Sequence, residues 1–274
     1  MSAPSEAEGT RSRRTATIAD VRALGQPPGL KERRNEEHWA GRLYMRSLSP
    51  FFSWLSLRLG LSPNQLTYLM MFTGVAAGVV VSVPGHPLWA ALAGALLVQV
   101  YLLLDCVDGE VARYLRQTSV AGVYLDRIGH YLAEVALLIG LGARAQGGWE
   151  SGGYLELGLV AALGAALIKA ETDNVVVARA KSGLPADPAA GDRALRPRST
   201  GLALARQAAS AVRLHRIIGA VELSLLIALA AVIDVLTGAQ TPVTTRVLTV
   251  VVAAVAAVQT LLHLVSVIAS RRLR

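Results

Sequence analysis

The stretch Leu102 to Leu115, LLLDCVDGEVARYL, sets Asp105, Asp108, Glu110 and Arg113 into a segment otherwise apolar enough to lie in lipid. An ionised carboxylate near a bilayer centre costs roughly 2.5 to 3.5 kcal/mol even on the lenient insertion scale, so charge in such a place implies a partner. Asp105 and Asp108 are three residues apart, which on a helix puts both carboxylates on one face about a turn from each other. The reading of this segment decides whether the chain is a soluble bundle with a charged surface or a membrane protein with a polar site.

Composition favours the membrane. Of 274 residues, 53% are hydrophobic and only 17% charged, and the mean hydropathy is +0.45. That balance is too apolar for an ordinary soluble protein of this length. The net charge of +8 does not call for nucleic acid, because the basic residues lie between the apolar runs, where cytoplasmic loops carry them. The single cysteine, Cys106, excludes an internal disulfide.

Six apolar segments are long enough to cross a hydrocarbon core of about 30 Å. We place them near Asn64 to Val83, Leu88 to Leu115, Val120 to Gly142, Tyr154 to Ala180, Leu214 to Leu236 and Val243 to Ile268. The N-terminal region, the turn from Arg113 to Arg116, the connection from Lys181 to Arg216 and the Arg271, Arg272, Arg274 tail are basic. The segments PGHP, GGWESGG and TGAQTPVTT contain no Lys or Arg. The alternation predicts six spans with both termini cytoplasmic, although Arg144 and Arg246 fall on the outer side of that scheme.

The predicted organisation is all-α. Residues 1–29 read as a disordered cytoplasmic tail and 30–60 as an amphipathic juxtamembrane region. Residues 61–270 form the six-helix domain and 271–274 a basic cytoplasmic tail. In the juxtamembrane region Trp39, Tyr44, Phe51, Phe52 and Trp54 mix with Lys31, Arg33, Arg34, Arg42, Arg46 and Arg58. This pattern suits helices lying in the interface, broken at Pro50.

The third span adds Asp126, His130 and Glu134 at four-residue steps, a polar stripe that should face inward. The connection after Arg113 is short, so the second and third spans are antiparallel neighbours and Asp105 and Asp126 lie at similar depth. Clustered carboxylates repel unless protonated or bridged by a cation. Oxygen-rich sites suit Mg²⁺ or Mn²⁺, and a pair of such ions can hold a diphosphate while activating an attacking oxygen. Gly109 and Ala112 leave room for a ligand beside the acids, and Arg113 is placed to contact phosphate. The simpler reading is a structural polar cluster of Asp105, Asp108 and Arg113, with the small residues serving helix packing.

Asp105, Asp108, Gly109, Ala112, Arg113, Gly122 and Asp126 read in order as D-x-x-D-G-x-x-A-R, eight residues, G-x-x-x-D. This resembles the signature of the CDP-alcohol phosphotransferases, and LSPNQLTYL, Leu61 to Leu69, is similar to the segment that opens the family's first span. The resemblance implies a homodimeric enzyme of a bacterial-type plasma membrane with a cytoplasm-facing site. That enzyme would transfer a substituted phosphate from a CDP-linked donor to an acceptor alcohol and release CMP, with two divalent ions at the aspartates. It also implies that Asn64 and Thr67, which can otherwise simply cap and start the first span, approach the nucleotide together with Gly109, Ala112, Arg113 and Gly122.

The family's pattern ends with a further aspartate four residues after the third, and here that position is His130. By resemblance that residue is the base for the acceptor hydroxyl and a contributor to the metal site. A neutral imidazole can act as a general base. As a ligand it shifts preference from Mg²⁺ toward Mn²⁺ or a later metal. Glu134 is a candidate substitute carboxylate, and loss of the usual activity is the third reading.

Lys169 and Arg127 are further candidates for acceptor or phosphate contacts. Lys169 also has the spacing to pair with Asp173, and Arg127 points about 100° away from Asp126 on the helix. A membrane prenyltransferase with aspartate-rich motifs is a competing class, and the D-G-x-x-A-R core argues against it. A binding relative without turnover is another. No G-x-S-x-G, P-loop or zinc motif is found.

Overall fold

A computed structural model describes residues 12–27, 39–185, 218–238 and 241–269, apart from the side chain of Arg42. Among these residues every regular element is helical. The helices are α1 (Ile18–Gly25), α2 (Arg46–Arg58), α3 (Pro63–Val81), α4 (Leu88–Leu115), α5 (Val120–Gln146), α6 (Gly153–Lys181), α7 (Ala220–Leu236) and α8 (Val243–Ala269), with a π-helical turn, Gly41–Met45, leading into α2. Five of them, α3, α4, α5, α6 and α8, are long and apolar enough to cross a membrane. The chain is an all-helical integral membrane protein. The fifth of the six expected spans corresponds to α7, which has 17 residues, and the start of that span, 214–217, lies outside the described residues. So do 1–11, 28–38, most of the basic connection from 186 onward, and the C-terminal tail.

The chain forms two compact units, Met1–Thr73 with Gln99–His130, and Gly74–Val98 with Tyr131–Arg274. In the first, α1 lies inside the stretch expected to be a disordered tail. It is started by a capping box: Thr17 Oγ1 accepts from Asp20 N–H at 3.1 Å, and an Asp20 carboxylate oxygen accepts from Thr17 N–H at 3.1 Å. Val21 of α1 joins Ala16, Leu57, Leu66, Val107, Val111, Tyr114 and Leu115 in a buried apolar cluster, with Trp54 packed against it. The Trp54 indole N–H donates to Ala16 O at 3.1 Å.

Helix α2 runs through Pro50 instead of breaking there. A proline in a helix deprives the carbonyl four residues earlier of its donor. Here that carbonyl, on Arg46, accepts from Gln26 Nε2 at 2.7 Å, so the helix continues at little loss. The helix is also inside out. It buries Ser49, Ser53 and Ser56 while Leu48, Phe51, Phe52 and Leu55 are exposed, a distribution suited to lipid outside and a polar partner within.

In the second unit small residues set the helix spacing. A side chain on Gly140 would run into the backbone oxygen of Gly78, and one on Gly78 into the backbone of Ala136, so α3 and α5 are in backbone contact. The two arginines that fitted the charge pattern poorly are both engaged. Arg144 is 2% exposed and donates to Pro87 O at 3.1 Å and His86 O at 2.9 Å. Arg246 donates to Ala145 O at 3.2 Å and lies 5.0 Å over the Tyr154 ring. Asp234, in the last turn of α7, accepts from the N–H groups of Thr244 and Thr245, at 2.7 and 3.0 Å, capping the start of α8.

Candidate active site

Helices α4 and α5 are joined by a tight turn. Arg116 takes the left-handed conformation (φ 58°) at the end of α4, and Gln117 N–H donates back to Ala112 O at 2.8 Å, closing a Schellman-type cap. Ser119 then accepts from Gly122 N–H through its side chain at 3.0 Å and starts α5. The chain is thereby folded back so that the polar faces of the two helices meet.

Where they meet, His130 Nε2 lies 3.2 Å from Asp105 Oδ1 and 3.5 Å from Asp126 Oδ1. One ligand atom from each of Asp105, Asp126 and His130 falls within 4.8 Å of the others. The other imidazole nitrogen, Nδ1, contacts the Tyr101 hydroxyl, and the two rings meet edge to face at 5.8 Å. Tyr101 stands one helical turn before Asp105, a spacing that marks it as a neighbour once the polar face is known. Two carboxylates and an imidazole at this separation form a donor set that fits a divalent cation of borderline character.

Asp108 stands slightly apart. It is buried, and its Oδ2 accepts from the Thr67 hydroxyl at 2.7 Å. Thr67 therefore ties α3 to the aspartate pair.

A cavity of about 300 Å³ opens beside the cluster. Asp105, Asp108 and Asp126 line it, as do Asn64, Thr67, Gly109, Ala112, Arg113 and Gly122. The motif residues at the start of α3, the end of α4 and the start of α5 thus share one wall system. The room beside Gly109 is taken by Arg113, whose guanidinium nitrogens lie 3.0 and 3.2 Å from where a β-carbon would be. Glycine there seats the arginine, and Arg113 Nε donates to Gly25 O at 2.6 Å. The walls also include Arg46, Gln117, Thr118 and Ser119, which the motif alone does not indicate.

Behind this wall lies Glu110, fully buried on the opposite side of α4 from the aspartates. Its carboxylate accepts from Ser49 at 2.5 Å, Ser53 at 2.6 Å and Gln26 Nε2 at 2.8 Å, and Arg46 Nη1 stands 3.5 Å away. A buried carboxylate without such partners would cost several kcal/mol. Ser49 and Ser53 of α2 face inward for this reason.

The remaining candidates lie elsewhere. Lys169 pairs with Glu134 at 3.1 Å and sits 5.7 Å over the Tyr131 ring, and Asp173 accepts from the Tyr131 hydroxyl at 3.0 Å. Lys169 of α6 thus has a carboxylate partner on α5. Arg127 is exposed on α5 and is not among the residues lining the cavity.

Comparison with known proteins agrees with the motif. Over 114 residues the chain is 33% identical to phosphatidylinositol phosphate synthase of Streptomyces avermitilis, covering 41% of this chain and 44% of that protein. Over 89 residues it is 30% identical to the bifunctional IPC transferase and DIPP synthase of Aquifex aeolicus, covering 32% of this chain and 19% of that one. The chain thus spans less than half the length of each of these relatives. The model of the CDP-alcohol phosphatidyltransferase family matches residues 60–271, which include α3 to α8 and every residue of the aspartate motif. With that match running through most of the chain, the protein belongs to the CDP-alcohol phosphatidyltransferase family.

Proposed function

We propose that this protein transfers a substituted phosphate from a CDP-linked donor, CDP-diacylglycerol or another CDP-alcohol, to an acceptor alcohol, releasing CMP in the synthesis of a phospholipid or related phosphodiester. The observation that carries this reading is the convergence of Asp105, Asp126 and His130 within 4.8 Å beside a cavity lined by the rest of the motif. Asp105, Asp126 and His130, with Asp108 next to them, would hold the divalent ions, Mg²⁺ or Mn²⁺ and two in number. When bound, such ions neutralise the donor's diphosphate.

The chain's own residues then have separable tasks. Asn64, Thr67, Gly109, Ala112 and Gly122 shape the nucleotide end of the cavity, and Arg113 offers charge to phosphate oxygens. The acceptor oxygen bonds to the β-phosphorus, the bond from that phosphorus to the bridging oxygen breaks, and CMP leaves with the bridging oxygen. Where His130 acts as the base and Asp105, Asp108 and Asp126 alone hold the ions, the acceptor's proton goes to His130 Nε2, since one lone pair cannot bind an ion and take a proton at once. For this the imidazole must carry its own proton on Nδ1, donated to the Tyr101 oxygen, so that the Nε2 lone pair is free. The same nitrogen also faces both carboxylates, and this favours a second reading in which His130 locks them together and the protein binds CDP-linked ligands without turnover. Glu134 is a weaker substitute, since its charge is already met by Lys169.

The protein would sit in a bacterial-type plasma membrane as a homodimer, with six spans, α7 being the fifth, and the cavity and both termini cytoplasmic. Arg144 and Arg246 keep their charge on the outer side of this scheme, each held by backbone carbonyls, and the orientation rests on the basic segments between the other spans. Helix α2 would lie in the interface with Phe51, Phe52 and Leu55 toward acyl chains. The deciding experiment measures CMP release by the purified protein in nanodiscs. CDP-diacylglycerol and soluble CDP-alcohols are tested against pooled alcohols, inositol phosphates first given the Streptomyces relative's name. Metal-dependent CMP that disappears in Asp105→Asn supports the transferase; CDP-ligand binding with no CMP from any donor favours the silent relative.

A further inference from the structure

The residues before position 60 lie outside the family match, yet they reach into the site. We propose that Arg46 is a further ligand for the phosphate groups of the nucleotide-linked donor and that Gln26 is the residue that positions it. The inference rests on the functional reading above and adds to it a part of the donor site supplied by the N-terminal segment.

Arg46 lines the cavity, with 11% of its side chain exposed. Its carboxylate neighbour, Glu110, is already satisfied by three neutral donors, Ser49, Ser53 and Gln26. At 3.5 Å from Arg46 it is farther than a normal N–H···O contact. Glu110 therefore gives the guanidinium a countercharge behind the cavity wall while taking its own hydrogen bonds from the neutral donors. The cavity wall carries three aspartates suited to cations, and a diphosphate bound there also presents oxygens that arginine recognises in paired fashion. Arg113 supplies one guanidinium, with its Nε committed to Gly25 O. Arg46 supplies the second.

Two consecutive residues at the end of α1 hold both. Gly25 O accepts from Arg113, and Gln26 Nε2 reaches Glu110 at 2.8 Å and Arg46 O at 2.7 Å. The fit is close, since a β-carbon on Gly25 would lie 3.1 Å from that of Glu110. Gln26 thus fixes the backbone of the residue that carries the guanidinium and the carboxylate that faces it.

The test is binding of CDP and of cytidine to the full chain in nanodiscs with Mn²⁺ or Mg²⁺. Cytidine lacks the phosphates, so the ratio of the two affinities reads the phosphate contacts and is insensitive to general loosening. Arg46→Gln should weaken CDP on the order of tenfold and leave cytidine within about twofold. Arg46→Lys should keep part of the CDP affinity because the charge stays, and Gln26→Ala should lower the same ratio by a smaller factor. A wild-type ratio in folded Arg46→Gln overturns the proposal. If that variant does not fold, unchanged ratios in both Arg46→Lys and Gln26→Ala overturn it. Failure of the unmutated protein to bind CDP would instead sink the functional reading itself, and is seen without any variant.

Discussion

His130 Nε2 on α5 lies 3.2 Å from Asp105 Oδ1 on α4, so the histidine four residues after Asp126 is in contact with the first aspartate of the stretch. An aspartate at 130 would place another negative charge among these carboxylates, and only cations could relieve the repulsion. The imidazole instead supplies a donor or a nitrogen ligand, and the cluster can hold together with less metal charge.

The metal preference should follow from this. Nitrogen ligation suits Mn²⁺ better than Mg²⁺, which favours oxygen and keeps its waters. In CMP-release or CDP-binding titrations the unmutated protein should reach half-maximal response at lower Mn²⁺ than Mg²⁺, and His130→Asp should shift the preference toward Mg²⁺. Equal preference in both proteins would remove His130 from the ligand set.

Tyr101 orients the imidazole through Nδ1. Removing the hydroxyl in Tyr101→Phe leaves the ring packing and frees the imidazole to rotate or change tautomer. Partners of metal-bound or catalytic histidines typically matter by about 10-fold to 100-fold. We expect metal affinity or turnover to fall by about 10-fold, with an unchanged melting temperature. A fall in melting temperature alone would make Tyr101 a packing residue.

Glu110 is a stability residue of a different kind. Truncation in Glu110→Ala strands the donors Ser49, Ser53 and Gln26 in a buried place and removes the countercharge 3.5 Å from Arg46, and each buried donor left unsatisfied costs about 1 to 3 kcal/mol. Thermal unfolding in detergent should show a larger drop than in Glu110→Gln, which also loses the charge but keeps the volume and one acceptor oxygen. Similar melting temperatures for the two variants would count against the network.

The aspartate site was legible in the sequence because its members recur at helical spacing on two segments joined by a short turn: 105 and 108, then 126 and 130. The layer behind it was not. Gln26, Arg46 and Glu110 are joined by contacts 20 and 84 residues apart in the chain, and no periodicity links them. Helix α1 is short and lies in a polar, proline-containing stretch, and its one local signal is the Thr17 to Asp20 capping box. Pro50 predicts a broken helix on local grounds, whereas the Gln26 side chain that replaces its missing bond comes from another segment. The serine face of α2 makes sense only once Glu110 is known to be buried against it.

The small-residue contact between α3 and α5 makes the last prediction. Gly140 has no room for a β-carbon, because the backbone of Gly78 occupies the place it would take. Backbone atoms cannot rotate aside as a flexible side chain can, so even Gly140→Ala must push the helices apart. Overpacking of this kind costs about 1 to 3 kcal/mol, and in lipid there is little hydrophobic drive to bring the helices back. Gly140→Ala should lower the melting temperature and Gly140→Val should abolish the monodisperse peak in size-exclusion chromatography. Gly148, where a β-carbon meets nothing within 4 Å, should accept alanine without loss. If Gly140→Ala proved as stable as Gly148→Ala, the backbone contact between α3 and α5 would have to be looser than described.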